Sequence, residues 1–535
     1  MMKLLLTTLV FLFALASTAS KAAPAASPAA PLASESAPAS GHESGGIAWR
    51  KGDVDAAFAE AKSSGKPLFL YWGAVWCPPC NQVKATIFNR QDFIERSQFF
   101  IPVYIDGDSP GAQKLGARFK VSGYPTMILL DHDGNEILRL PGEVDAQRYL
   151  QLLETGMTGG RPVKTTLAEA LSGKPGLTDR DWRLLAYYSW ETDEQQLVPK
   201  DKVMATLAEL AKRCPEQDTD AANRLQLTEV YLATEQKKPP VLAGAERKRA
   251  LQALNSLLAN PAVARDNFDL LTGDAGAVLG LLTAPNSDER SHLAQIWSEE
   301  LDRLAADTSL SNTDRLLAID TKISLARMTA GKGPLPAALV SQVREQADQM
   351  DKATSNSYER QSVINAAAGN LVDAGLLDDS DALLKAELKR SHSPYYFMLD
   401  LAANAKKRGD KEAALSWYRQ AYMASEGPAT RLQWGVVYVR ALVELDPGNE
   451  TEIVATSESI LKEVGGMQNA FYERNLSALT RLHDVLIDWD AKNQHKTAMA
   501  RIQTSVTSLC SGLAASDPQH ASCDSLLKPG KIRPA

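Results

Sequence analysis

Residues 67–85 read Pro67-Leu68-Phe69-Leu70-Tyr71-Trp72-Gly73-Ala74-Val75-Trp76-Cys77-Pro78-Pro79-Cys80-Asn81-Gln82-Val83-Lys84-Ala85. Pro67 to Trp72 is a short apolar run, which predicts a buried strand. From about Cys77 the pattern turns helical through Gln82, Val83 and Ala85. A Cys-x-x-Cys pair at such a strand-to-helix turn has a direct chemical reading. The first sulfur sits at the helix N-terminus, where the dipole and unpaired amides favour a thiolate. The second lies one turn on, close enough to close a disulfide. Cys77 is then the nucleophile toward a substrate disulfide and Cys80 the resolving thiol. Pro78 and Pro79 have no N–H to donate, so Cys77 has fewer amide donors than most intervening pairs would give it. That predicts a modestly lowered thiol pKa and a reducing rather than a strongly oxidising pair. The alternative, half of a zinc site, lacks its other ligands: there is no second Cys-x-x-Cys, no His-x-x-x-His, and the seven histidines are scattered. No metal is expected.

The surrounding sequence alternates helix and strand signals from Ile47 to about Gly156. Asp53 to Ser64 has helical spacing, with Val54, Ala57, Phe58 and Ala61 on one side. Phe100 to Ile105 reads as a second buried strand, Pro110 to Phe119 as a helix and Thr126 to Leu130 as a third strand. The turn Asp131-His132-Asp133-Gly134-Asn135 leads into Glu136 to Leu140, a hairpin signature. Asp145 to Leu153 reads as a closing helix. Together these predict a three-layer α/β domain.

Gly123-Tyr124-Pro125-Thr126 precedes the third strand, and Pro125 stands 45 positions after Cys80. With Trp76-Cys77-Pro78-Pro79-Cys80 and this element order, residues 50–155 resemble the thioredoxin superfamily, and within it small exported bacterial thioredoxin-like domains. The resemblance implies a domain at 47–157 with a central mixed sheet. It also implies a cis proline at Pro125 facing the redox pair, with Tyr124 and Trp76 beside it on the substrate side. Gly142 matches a glycine common after the last strand. The short spacing from Cys80 to Pro125 leaves no room for the insertion of the cytochrome-maturation branch. One departure matters. The family's buried Asp, six residues before the first Cys, is Tyr71 here, and its partner Lys is absent among Val103, Tyr104 and Ile105. The usual proton acceptor for Cys80 is therefore missing. Glu60 and Glu143 are carboxylates of the right type, and the simpler reading of both is a solvated surface side chain.

Beyond Arg161 strand signals nearly vanish. Helical runs such as Asp181 to Trp190, Arg224 to Thr234, Ala245 to Leu258, Ser291 to Leu304 and Lys411 to Met423 are separated by Pro and Gly. They predict a large all-α helical-array domain over residues 164–530. Leu401-Ala402, Gly409, Ala414, Tyr418 and Ala421 resemble one tetratricopeptide unit, without clear copies at a fixed period. Trp182, Trp190, Trp297, Trp417 and Trp434 fall at helical spacing and read as core. Cys510 and Cys523 flank a break at Asp517-Pro518 and are expected to form a structural disulfide, with two free thiols as the alternative. Cys214 has no evident partner, and a buried thiol is the default.

The chain has 535 residues, 44% hydrophobic and 23% charged, with a net charge of −7. That balance argues against a nucleic-acid partner held through phosphates and against a polybasic membrane surface. Lys3 and the apolar run Leu4 to Ala16 predict a signal peptide over residues 1–22, too short to span a bilayer, so no stable membrane insertion is expected after cleavage. An Ala/Pro/Ser-rich linker follows over 23–46. The Ala-rich leader points to the periplasm. Neither a Rossmann nor a Walker pattern occurs, and Asn81 after Cys80 excludes a haem-attachment motif, so no bound cofactor is expected. The reading is an exported thiol–disulfide oxidoreductase, foremost a protein disulfide reductase. Its partners would be protein thiols or disulfides and a second redox protein, with the helical domain positioning substrates. The alternatives are an oxidase or isomerase, and, from another class, a helical binding scaffold with an idle redox pair.

Overall fold

Strand β2 (Leu68–Gly73) is buried along its whole length and lies at the centre of a five-stranded sheet. The order is β1 (Arg50–Lys51), β3 (Ile101–Asp106), β2, β4 (Thr126–Leu130) and β5 (Glu136–Leu140). β1 and β2 run parallel to β3, with Leu68 opposite Ile101 and Gly73 opposite Asp106. β4 is antiparallel to both β2 and β5. In this computed structural model, residues 46–530 are described except 52, 141–144, 194–195, 216, 332, 492–493 and 529. The expected signal peptide, nearly all of the linker, Gly142 and Glu143 lie outside the described residues.

The pleat of β2 separates two cores, because successive side chains point to opposite faces. Leu68, Leu70 and Trp72 pack under α1 (Val54–Ser64) and α4 (Ala112–Phe119). Phe69 and Tyr71 face α2 (Pro78–Val83), α3 (Gln91–Arg96) and α5 (Ala146–Met157). α2 continues into a π-helical turn over Lys84–Phe88. The result is a mixed sheet between two helical layers. β1 and α3 add to the sequence reading; at two and six residues they are too short to carry a periodic signal.

Every described element from Val163 onward is helical. The core on the Phe69 side does not stop at the end of α5. Leu152 and Leu153 share one apolar cluster with Val163, Leu167, Trp182, Leu185, Leu207 and Leu225. The first helices of this region are therefore packed on the sheet rather than tethered to it. The run expected over Asp181 to Trp190 is a helix over Asp179–Ala186, and Trp190 falls in a separate 3-10 turn. The chain leaves the helix there because Ser189 donates its N–H to the Arg139 carbonyl at 3.1 Å, bonding to edge strand β5. The helices Pro394–Arg408 and Lys411–Ala424 pack as an antiparallel pair through the fully buried Ala402, Ala414 and Ala421. Among the described residues no helix is long and apolar enough to cross a membrane. Cys510 and Cys523 are joined in a disulfide between the last two helices.

Two predictions follow from this packing. Cys510→Ser should lower stability by about 3 kcal/mol, the chain-entropy value for a loop of this size; denaturant titration checks it, and an unchanged midpoint refutes it. Asp314 is buried where it accepts a hydrogen bond from Gln82 of α2 at 2.7 Å. Burial and the nearby Asp145 push its carboxyl up to about 6, against hydrogen bonds from Ser311 and Gln82. A carboxyl raised in the folded state stabilises it when protonated. That contribution is full below about pH 4, the ordinary carboxyl range, and is lost as pH rises through about 6. Asp314→Asn should therefore raise Tm at neutral pH and flatten this part of the pH profile. A variant whose pH profile overlays that of the parent refutes the assignment.

Candidate redox site

Cys77 is the N-cap of α2, with Pro78 and Pro79 in the first turn. Its φ of −74° and ψ of 112° are extended, as a cap residue requires. Proline is tolerated in the first turn because its missing N–H would have no intrahelical partner there. The amide that does reach the Cys77 sulfur belongs to Cys80, at 3.2 Å. The two sulfurs form a disulfide. On the other side of Cys77 stands the loop before β4. The Tyr124–Pro125 bond is cis, and the Tyr124 carbonyl oxygen is 3.8 Å from the Cys77 sulfur. The five residues Trp76, Cys77, Cys80, Tyr124 and Pro125 are thus brought to one place by two loops at the same edge of the sheet.

The loop before Cys77 is held from two directions. The Val75 carbonyl accepts from the Asn81 side-chain amide at 2.8 Å and from His392 Nε2 at 3.2 Å. A carbonyl partner requires that this ring nitrogen carry the proton. Burial holds the His392 pKa below its ordinary value, opposed by this hydrogen bond. The Tyr124 ring lies so close over Gly107 that a Cβ there would meet it at 2.4 Å. Its hydroxyl accepts from Gln113 Nε2 at 2.9 Å.

Beneath the pair, on the inner side of α2, Tyr71 stacks on Tyr104 at 5.4 Å between centroids. Burial raises both phenol pKa values, so Tyr71 stays protonated and cannot take a proton from Cys80. The Lys84 N–H bonds to the Cys80 carbonyl, which puts Lys84 one turn beyond Cys80 on the same helix face. Its Nζ is 5.3 Å from the Tyr104 ring centroid. Burial lowers this lysine to about 8, against attraction from Asp106, and burial raises Asp106 above the ordinary carboxylate range. Glu60 is engaged at the surface with Arg50, away from this cluster.

The outer side of the site is built by residues far away in sequence. Trp76 packs edge to face on Trp434 at 4.9 Å and stacks on Tyr396 at 6.2 Å. The Arg474 guanidinium is 5.0 Å from the ring centroids of both Trp76 and Tyr124. Trp434 is buried as its helical spacing suggests, but part of what buries it is the redox loop. His392, Tyr396 and Arg474 carried no signal in the sequence. Each sits more than 300 residues from its partner, beyond the reach of any local pattern.

Residues 54–156 match the family model described as a thioredoxin-like domain. Over 103 residues the chain is 29% identical to the thiol:disulfide interchange protein DsbD of Pseudomonas fluorescens, a match covering 18% of each chain. It is 30% identical over 113 residues to thiol:disulfide interchange protein DsbD 1 of Pseudomonas aeruginosa, covering 20% of this chain and 18% of that one. The chain therefore spans about a fifth of the length of these curated relatives. Among solved structures, a DsbH oxidoreductase is similar at 20% identity, over 21% of this chain and 84% of that one, with a TM-score of 0.19. Residues 54–156 form a thioredoxin-like domain with a Cys-x-x-Cys pair, followed by a large all-helical region.

Cys214, the remaining cysteine, is buried, with its sulfur 3.6 Å from the Asp218 carbonyl oxygen. Burial pushes its thiol up to about 12, helped by Asp218 and Asp179. The oxidised native protein should therefore show no fast reaction with Ellman's reagent at pH 8 and a single reactive thiol once denatured. A rapid equivalent in the native state contradicts the placement of Cys214.

Proposed function

We propose that this protein is an exported thiol–disulfide oxidoreductase of the periplasm, acting as a protein disulfide reductase, and that the helical region positions its protein partners. The observation that carries the reading is the Cys77–Cys80 disulfide, capping α2 within a thioredoxin-like domain and facing the Tyr124–Pro125 loop. The curated relatives matched over this domain bear the name thiol:disulfide interchange protein, which supports the same chemistry.

In the reduced enzyme the Cys77 thiolate attacks one sulfur of a substrate disulfide. A Cys77–substrate bond forms and one substrate thiolate leaves. Cys80, deprotonated, then attacks the Cys77 sulfur, which closes the internal disulfide and releases the second substrate thiolate. Two electrons and two protons reach the substrate in all. A partner dithiol must reduce Cys77–Cys80 before the next turnover. Among the described residues the Cys80 amide is the one hydrogen-bond donor on the Cys77 sulfur, and the prolines supply none. This supports a thiolate stabilised only modestly and a pair on the reducing side.

The test is the equilibrium potential of Cys77–Cys80 in the full mature protein. A value near about −270 mV, that of thioredoxin, is expected, and one near about −120 mV would make the protein a disulfide donor instead. Cys80→Ser should accumulate a mixed disulfide through Cys77, and Cys77→Ser should abolish exchange. Absence of any reversible two-electron couple would remove the enzymatic reading and favour a binding scaffold.

A further inference from the structure

Cys77 is 3% exposed and Cys80 is fully buried. A cysteine that exchanges disulfides with another protein needs a sulfur open to approach. Cys77 is buried by the helical region as well as by Tyr124 and Cys80 of its own domain: Cys77 and Cys80 share one apolar cluster with Tyr422, Leu432 and Trp434. Trp434, Tyr396 and Arg474 lie on Trp76 and Tyr124, the two side chains flanking Cys77. Among the described residues, a cavity of about 10 Å³ between the two regions is lined by Trp76, Asp108, Gln113, Tyr124, Thr430 and Arg474. That is room for one water and none for a substrate backbone.

The rim of this contact is polar. Asp108, two residues beyond β3, accepts from Thr430 N at 2.7 Å and from Thr430 Oγ at 2.5 Å. It thereby caps the N-terminus of the Pro428–Leu445 helix from across the interface, where a carboxylate meets the free Thr430 amide and the positive end of the dipole. Gly427 makes the approach possible. Its φ is +82°, and a Cβ there would meet the Asp108 carboxyl carbon at 2.7 Å. Beside it Gln113 Oε1 accepts from Arg474 N at 3.1 Å. Hydrogen bonds of this kind can be exchanged for bonds to water when the surfaces part.

The geometry points to a gate: the helices Pro394–Arg408, Pro428–Leu445 and Glu473–Trp489 close over Cys77, and exchange with a protein partner proceeds only from an arrangement in which the Asp108–Thr430 and Trp76–Trp434 contacts have separated. This rests on the redox reading of Cys77–Cys80. The gate sets the class of partner, because a protein thiol can reach the disulfide only after opening, whatever its intrinsic reactivity.

The experiment is the rate at which the oxidised full-length protein is reduced by dithiothreitol and by a reduced thioredoxin, for the parent, Thr430→Val and Trp434→Ala. Both variants should react with the thioredoxin about tenfold faster or more, the equivalent of one lost hydrogen bond to a charged group. Parent-like rates in both variants overturn the gate. The equilibrium potential, taken on the same samples, keeps the two ideas apart. No reversible couple removes the redox reading, whereas a normal couple with unchanged rates removes the gate alone. Hydrogen exchange on the parent protein guards against variants that misfold. Amides in 74–83 and 427–434 should exchange together, faster than those of β2. Exchange of both segments only along with β2 also overturns the gate.

Discussion

β2 is hydrogen-bonded on both sides, to β3 and to β4, and all six of its residues are buried. This double ladder fixes almost everything else. Its register against β3 sets Gly73 opposite Asp106, so the loop leaving β2 and the loop leaving β3 emerge at the same edge of the sheet. Its register against β4 sets Trp72 opposite Thr126, so the Tyr124–Pro125 turn arrives at that edge as well. A slip of one residue would exchange the two cores fed by β2, placing Phe69 and Tyr71 where Leu68, Leu70 and Trp72 belong. The meeting of Cys77 with the Tyr124 carbonyl is therefore a consequence of strand pairing, and the short α2 only has to hold a geometry that the sheet has already set.

The same register explains the unusual layer under the redox pair. The position six residues before Cys77 faces the α2 side of the sheet, where a carboxyl could reach the second cysteine. Here it is a tyrosine that stacks on Tyr104 and packs edge to face on Phe88 at 4.8 Å. An aromatic cluster contributes packing where an acid would contribute proton transfer. Lys84 and Asp106 are titratable groups on that side, and burial moves both toward neutrality. The domain keeps the sulfur chemistry of its class while replacing the proton chemistry beneath it.

What could be read from the sequence divides along the same line. The reading of Pro125 rests on the resemblance and on its place 45 positions after Cys80, while strands β2, β3, β4 and β5, helices α1, α4 and α5, and the Cys77–Cys80 motif each rest on a pattern within about ten residues. Local period and turn chemistry are enough for those. The character of the helical region was also legible, since Pro and Gly mark its helix ends. Its relation to the redox site was not. Trp434 has the spacing of a core residue and is one, yet nothing within its own helix says that part of its core is Trp76. Asp108 reads as a loop carboxylate, and its role as a cap depends on an amide 322 residues away. Likewise the boundary near residue 160 is a change of pattern in the sequence but not a gap in the structure, because the core on the Phe69 side continues through it.

That continuity gives the molecule an asymmetry. At one end the helices Val163–Ser172 and Asp179–Ala186 share an apolar core with the sheet, and separating them would expose Leu152, Leu153, Leu167 and Leu185 together. Each such side chain costs about 1.5–3 kcal/mol to expose, so this attachment holds as long as the domain is folded. At the other end Ala74, Trp76, Cys77 and Cys80 share a second apolar cluster with Tyr422, Leu432 and Trp434, and the Ser357–Asp373 helix packs on α2. Around it lie the Asp108 cap and the polar contacts of Gln82 with Asp314, Gln113 with Arg474 and His392 with Val75. The polar groups of this rim can exchange their bonds for bonds to water. The helical region is thus joined to the sheet by its first helices and to the redox pair by its later ones, and the second contact differs in carrying a polar rim around its apolar centre.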